Sequence, residues 1–595
     1  MVIRAVAAVL IALLAAAPGA RAADGQMRVA GRQLWSTDFE HPIEFQTLVD
    51  SGVLVVATSR HLYGVDQRAG KVLWRKRDVH VAPEDLLSVP GSRILLINED
   101  AGGKFADQET STFAINVDTG DDLWETKLIK GKGMQAVADA ATGTLVLVSV
   151  RKPHGDDLGA FAGWLPGDGI GGGFSRKPRI SAIDLATGKL RWDKDCDDEV
   201  QLRPTFTNDV ATVNGRASKD RPFDLGLYRP PIIAGNQVFV TYDGLTCYDV
   251  ATGKRLWRQQ YSLLEGDFAL SASGAIVTDD AVYATGEGRI RAFDRATGKQ
   301  LWKTDDFGVI PELFLDDQTV YGQLGGRFFN ISSENWVWKG SYGAVAVDRR
   351  TGKQVWKFDS GNDSTTSLAI VGDRVWLGDE EHLIGLDRAN GTRVVAERHG
   401  LDHRPVLATF NERGEVVLIS DDEAVGFSTG PVARAWYQKH PAIGPSGWRR
   451  FAAGLLMTSG AVLSVSAFAA AHAKGLLPAL PSPALRVAGL QPIPLLNTRT
   501  IAIKAATFGG REMWRAGSGM LGVTQFAHLT GTHQYFLTRL SGADQALAGV
   551  NLTTGETDRA VALPARTANI AIDEETGVVT QARGKQLVGL ALDAR

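Results

Sequence analysis

Apolar and polar residues alternate along most of this chain in short runs, and the runs break at compact polar turns. A period of two marks half-buried β-strands. The pattern is clearest from Ile290 to Trp302, IRAFDRATGKQLW, where two such runs flank a turn. Asp294 and Thr297 are placed to accept hydrogen bonds from the turn's N–H groups. Gly298 supplies the positive φ that a short hairpin needs. The unit recurs with its last residue at Trp192, Trp257 and Trp356, and in a nearly matching form at Trp74. Degraded copies keep part of it: Asn116 replaces Asp in the copy ending at Trp124, Val395 replaces Trp after Asp387 and Gly391, and Ser428 replaces Asp before Trp436. A small residue, Ala182, Ala292 or Ala346, stands two positions before the Asp. We expect it to leave a slot for the indole of a neighbouring copy. Trp376 lies on an inner strand and reads as core.

The repeat, with its Asp, Gly and terminal Trp, resembles the tryptophan-docking motif of the pyrroloquinoline quinone (PQQ) repeat family. That family includes quinoprotein dehydrogenases and a periplasmic scaffold of outer-membrane protein assembly. The resemblance implies an all-β protein, a β-propeller of four-stranded blades. It implies docking roles for Trp35, Trp74, Trp124, Trp192, Trp257, Trp302, Trp356, Trp436 and Trp514, with Gly70, Gly188, Gly253, Gly298 and Gly352 as motif glycines. Eight blade-sized intervals run from Ile43 to Tyr437. Motif-like sequence resumes in the tail, at Trp514 and around Asn551 and Gly555. The first piece, Gly31 to Trp35, is a second half-motif without its first. The last, Leu587 to Asp593, is a first half without its second. We expect eight blades, on the family pattern. The alternative is a ring of about ten closed by both termini, which would remove the sheet edges at the join.

Residues 1–22 read as a secretory leader: Arg4, an apolar run from Val6 to Ala17, then Ala20-Arg21-Ala22. The domain reading is therefore a signal peptide over 1–22, the propeller over 31–439, an insertion over 440–496 and further repeats over 497–595. The insertion contains no charge from Phe451 to Ala471, followed by a Pro-rich linker. Its length could cross a bilayer. Both half-motifs must share one compartment, so we expect an apolar helix near 449–474 packed on the propeller or dipping into one leaflet.

Charge narrows the function. The chain has 64 Lys and Arg against 67 Asp and Glu; removing Arg4 and Arg21 leaves 62 against 67, a net charge of about −5. That balance argues against a nucleic-acid partner. The chain lacks HExxH and CxxC patterns. His399 and His403 read as loop residues, and the Gly-rich tract from Pro153 to Pro178 as a flexible loop, not a phosphate cradle. A second long interval runs from Cys196 to Pro231. Cys196 and Cys247 are the only cysteines; Cys247 occupies the small-residue slot and reads as a buried thiol, with a disulfide as the alternative. Trp336 and Trp338 stand in an inter-strand loop, and ordinary packing is the expectation for them over a binding lip. The dehydrogenases of the family cap their quinone with adjacent cysteines, which this chain lacks. We therefore expect a periplasmic or secreted, non-catalytic scaffold that binds other exported or membrane proteins, with membrane association through 451–471. The alternatives are a quinoprotein oxidoreductase using PQQ with Ca²⁺ and a propeller that binds carbohydrate or cell-wall material.

Overall fold

The computed structural model describes residues 31–440 and 527–594, apart from short internal stretches such as 78–85, 101–108, 151–173 and 205–222. The apolar insertion, the leader and Trp514 lie outside the described residues. Among the described residues every regular element is a β-strand. Blade 5 shows the plan. Ile276–Val277, Ala281–Gly286, Arg289–Asp294 and Gln300–Lys303 pair in that order as an antiparallel meander. Blades 1 to 10 occupy 43–77, 86–130, 132–195, 232–259, 276–303, 313–359, 369–398, 407–439, 527–562 and 570–591, the last completed by Gln33–Asp38.

The ring has ten blades, not eight. The eight intervals between Ile43 and Tyr437 are each one blade, but the eighth does not close on the first. Its Trp436 ring sits on Gly555 of blade 9, and the Gly70 turn of blade 1 is taken by Trp35. Trp35 belongs to the N-terminal strand, which forms the rim of blade 10 through Trp35↔Gly589 to Asp38↔Gln586. Each docking site accepts one indole, so eight blades leave Trp436 and Gly70 with the wrong partners.

The core is correspondingly divided. Ten apolar clusters are found, one at each junction between neighbouring blades. Inner faces of adjacent sheets supply them, as expected for strands with alternating side chains. Blades 10 and 1 share Leu587 and Ala582 with Leu54 and Tyr63. Blades 9 and 10 share Leu547 and Val561 with Val579 and Val588.

Each rim strand carries a β-bulge one residue before its docking position, as at Gln300/Trp302 opposite Phe293/Ala292. The extra residue is turned outward, which explains why Leu34, Leu73, Leu123, Leu256, Leu301, Val355 and Val394 are exposed. Bulges also blunt edge strands against pairing with other chains.

Two sequence expectations change here. Trp338 is not in a loop: it lies in Asn335–Asp348, which with Thr319–Asn330 forms a ribbon longer than any other hairpin of the ring. The tract from Pro153 to Pro178 is not wholly a loop either. Its Phe174–Arg176 pairs with Val200–Pro204, which pairs in turn with Phe223–Asp224. The two long intervals thus meet in one small sheet.

Deleting residues 584–595 removes the strand on which Trp35 rests. Thermal unfolding of the truncated chain should shift down as a whole, with an increased hydrodynamic radius. An unchanged melting curve would mean that the ring closes without the terminal pairing.

Candidate interaction face

The docking residues come first, because they position everything else. In blade 5 the Asp294 carboxylate accepts hydrogen bonds from Thr297 N–H (2.7 Å) and Thr297 O–H (2.6 Å). Gly298 has φ of +71°, and a Cβ there would lie 2.4 Å from Trp257 Cδ2. Only glycine meets both demands. The turn therefore presents a flat backbone seat to the indole of the preceding blade, and its Arg295 carbonyl accepts from Trp257 Nε1 at 3.0 Å.

The same bond recurs from Trp35 to Gln67, Trp74 to Val117, Trp124 to Leu185, Trp192 to Val250, Trp302 to Arg349 and Trp356 to Arg388, all between 2.7 and 3.0 Å. Gly70, Gly120, Gly188, Gly253, Gly352 and Gly391 lie under these rings. The small residue of the motif plays a different part from the one expected. Ala182, Cys247, Ala292 and Ala346 pair directly with the tryptophan of their own blade, not a neighbour's. Each indole thus lies across its own sheet and reaches the next.

Three junctions carry a second staple, which the sequence pattern did not reveal. Arg295, Arg349 and Arg388 follow the motif Asp, and each reaches back to the preceding blade. Arg295 Nε donates to Gln237 (2.7 Å), Arg349 Nε to the Tyr283 hydroxyl (2.9 Å) and Arg388 Nε to the Tyr321 hydroxyl (2.9 Å).

The meander makes the two faces of the disc unequal. Turns between first and second strands, and between third and fourth, share one face, and each holds five residues or fewer. The links between blades, and between second and third strands, share the other. That second face receives the small sheet of 174–176, 200–204 and 223–224, the described residues of the 260–275 link and the long ribbon of blade 6. The ribbon bends where Gly340 approaches Gly325 too closely for any Cβ. Phe328 on it meets Phe268 of the 260–275 link at 6.3 Å between ring centroids, and Lys339 lies over Phe268 at 5.9 Å. Trp338 is partly exposed and meets Tyr342 edge-on at 6.4 Å. Beneath, the links knit together: Ala272 bridges Ile310, and the buried Arg229 donates to the Ala272 carbonyl at 3.0 Å. Burial brings the Arg229 guanidinium down to about 10, with Glu312 opposing the shift. This region is a braced platform.

Two groups of acidic and imidazole side chains also lie on this face, joined by folding from positions distant in sequence. His403 meets Asp422 (2.9 Å) and Glu423, and Glu40 stands with His41 and His61. Neither fits a Ca²⁺ site serving a quinone. The buried Glu423 carboxylate accepts from Asp402 N–H, His403 N–H, the Tyr437 hydroxyl and Lys439 Nζ. Burial would raise it, but Tyr437 and Lys439 outweigh that and hold it below the usual carboxylate range. Glu40 is held by both terminal nitrogens of Arg75, which also contacts His61 Nε2 at 2.9 Å. Each group already carries a cation, Lys439 on Glu423 and Arg75 on Glu40. Seven of the described docking indoles are committed to blade junctions through their N–H groups, and Cys196 and Cys247 are free buried thiols in different apolar clusters. Among the described residues no set of side chains forms a quinone cage. His399 is buried, with its ring between the Glu380 carbonyl and Leu401 N–H.

The family described as outer membrane protein assembly factor BamB matches residues 27–162, 170–306 and 341–467. The chain belongs to this family. Curated relatives include the outer membrane protein assembly factor BamB of Kangiella koreensis, 29% identical over 175 residues, which are 27% of this chain and 41% of that protein. The protein of the same name from Burkholderia pseudomallei is 24% identical over 315 residues, 51% of this chain and 67% of its own. The chain thus spans less than half the length of the first relative. Among solved structures, BamB from Moraxella catarrhalis superposes with a TM-score of 0.33 at 14% identity, over 69% of this chain and 100% of that one. Among the described residues of this BamB-family chain no helix is long and apolar enough to cross a membrane.

Two measurements check the site. Trp257→Ala should cost about 3–5 kcal/mol in reversible unfolding, as for other buried aromatics; a change under about half a kcal/mol would remove the docking role. The second concerns His440, which joins blades 8 and 9 through Thr557 Oγ1 at 2.8 Å. Burial pushes its pKa down to about 4, whereas the unfolded chain titrates near 6.5. The unfolded state therefore binds the extra proton first, and this stability is present above about pH 6.5 and is lost as pH falls toward 4. Urea midpoints between pH 7 and 4.5 should fall less steeply in His440→Gln than in the natural sequence.

Proposed function

We propose that this chain is an exported, non-catalytic β-propeller that binds other proteins of an outer-membrane assembly. The observation that carries this reading is the asymmetry of the disc. Among the described residues, the longer connections, the small inserted sheet and the aromatic ribbon collect on one face, while the other face holds tight turns. A rigid ring with variable links on one side suits recognition of a protein partner. The relatives' printed role, outer membrane protein assembly factor, supports the same reading. The leader over 1–22 supports export, and the uncharged run 451–471 offers a membrane contact. The polar clusters support a non-catalytic role, since their charges are spent on holding links to blades. Fold alone does not choose among functions.

The test is site-specific photocrosslinking in cells. A crosslinker at Lys339, on the ribbon, should capture an outer-membrane assembly protein from the envelope fraction. One at Lys299, on the tight-turn face, should not. Equal capture at both positions, or a cytosolic location, would overturn the proposal. So would stoichiometric quinone binding with dye reduction when purified protein is titrated with PQQ and Ca²⁺.

A further inference from the structure

The ten junctions are not equivalent, and the exceptions are consecutive. From blade 10 to blade 7, seven successive junctions carry an indole with its N–H bonded to the next blade. The remaining three depart from this, each in its own way.

At the 7/8 junction the docking position is Val395, paired with Gly385. The space over Gly385 is filled from the other side by Trp376 of the second strand, which is fully buried and whose Nε1 has no hydrogen-bond partner among the described residues. That indole joins the apolar cluster of the 7/8 junction but makes no N–H bond to blade 8. The polar links across this junction are few: Ser367 Oγ with the Ala408 backbone, and Arg404 with Glu380 at 2.8 Å. At the 9/10 junction the docking position is Arg559, paired with Gly549. Tyr535 covers that glycine, and the buried Arg559 Nε has no partner among the described residues. In place of an indole, two residues of the C-terminus pair with the rim strand, Asp593 with Ala560 and Ala594 with Arg559.

The 8/9 junction between them is of a third kind. Trp436 is seated on Gly555, but its Nε1 has no acceptor among the described residues. The carbonyl equivalent to those used elsewhere, that of Leu552, accepts instead from Asn411 Nδ2 at 3.0 Å. His440 adds its bond to Thr557. Blades 8 and 9 are therefore held to one another by an apolar cluster, a seated indole and two side-chain bonds, while neither outer boundary of the pair has an indole docked on a turn of the next blade.

We propose that blades 8 and 9 form a two-blade sector that opens as one unit while the other eight blades stay docked. Opening it breaks the two boundaries that lack a docked indole and spares every complete dock. Sub-global opening follows the weakest set of contacts, and in a ring built from nearest-neighbour interfaces that set is local. An open sector bares the apolar walls of both boundaries, Leu418 and Phe427 on one side and Leu547 and Val561 on the other. It also frees the C-terminal residues Asp593 and Ala594 from the blade 9 rim.

Native-state hydrogen exchange on the full chain, read by mass spectrometry, tests this. Strands at 416–428 and 533–551 should exchange about tenfold or more faster than the matching strands at 237–249 and 281–294. The two blades should also share one opening step, with the same dependence on low denaturant. Equal protection across the four segments overturns the proposal, and so do different opening steps for blades 8 and 9. In the triple variant Trp376→Val, Val395→Trp and Val432→Gly, which supplies blade 7 with a docking indole and the blade 8 turn with the glycine seat it lacks, exchange at 416–428 should slow to the rate of blade 5. If that variant folds and exchange there is unchanged, the missing indole is not what loosens the sector.

Discussion

The indole that lies across one sheet and bonds to the next is the contact on which this ring depends. It is directional: at each docked junction one blade gives a tryptophan and the next offers a turn, so neighbours are ordered as in a chain of hooks and eyes. Its seat requires a backbone free of Cβ atoms, supplied by Gly298 and its equivalents. Because each seat takes one ring, closure is a matching condition on the whole set. Trp35 satisfies it from outside the linear order of blades, and the terminal strands are thereby joined. The buried apolar area is divided among ten wedges. Each wedge is small, so the angle at which an indole holds two sheets matters more than in a protein with one large core.

The arginine staples and the charged clusters hold different parts of the ring. Arg295, Arg349 and Arg388 reinforce three adjacent junctions that already have complete docks. Glu423 with Lys439 and Tyr437 anchors the link that enters blade 8, just beyond a junction without an indole. These groups resemble reactive sites in composition but differ in occupancy. The Glu423 carboxylate is saturated by donors within the chain and Glu40 is held by Arg75, so both fix geometry. What remains for recognition is the link-bearing face, where a braced platform under Phe268 and Phe328 supports a ribbon that extends beyond the sheet.

Much of the architecture was legible in the residues alone. Alternation marked the strands, Asp294 to Gly298 marked the turn, and the spacing to Trp302 marked the dock, because each of these is a property of about a dozen neighbouring residues. Other features were not legible. The small residue's partner was misassigned, since cross-strand register places Ala292 opposite Trp302 only once the bulge before the tryptophan is known. The Glu40 and His403 clusters escaped notice because their members come together only through the meander. The small sheet made by Phe174–Arg176, Val200–Pro204 and Phe223–Asp224 joins two stretches whose composition suggests only loops.

The sequence by itself determined the all-β class, the blade as a unit and the chemistry of the joint between one blade and the next. The number of blades was decided only by the tertiary structure. A motif specifies its own hairpin and the surface it offers a neighbour, and it carries no information about how many neighbours complete a circle. That number follows from the small angle between successive sheets, accumulated around the ring, and from which indole finally reaches which turn. Here Trp436 reaches Gly555 and Trp35 reaches Gly70, and those two contacts make ten.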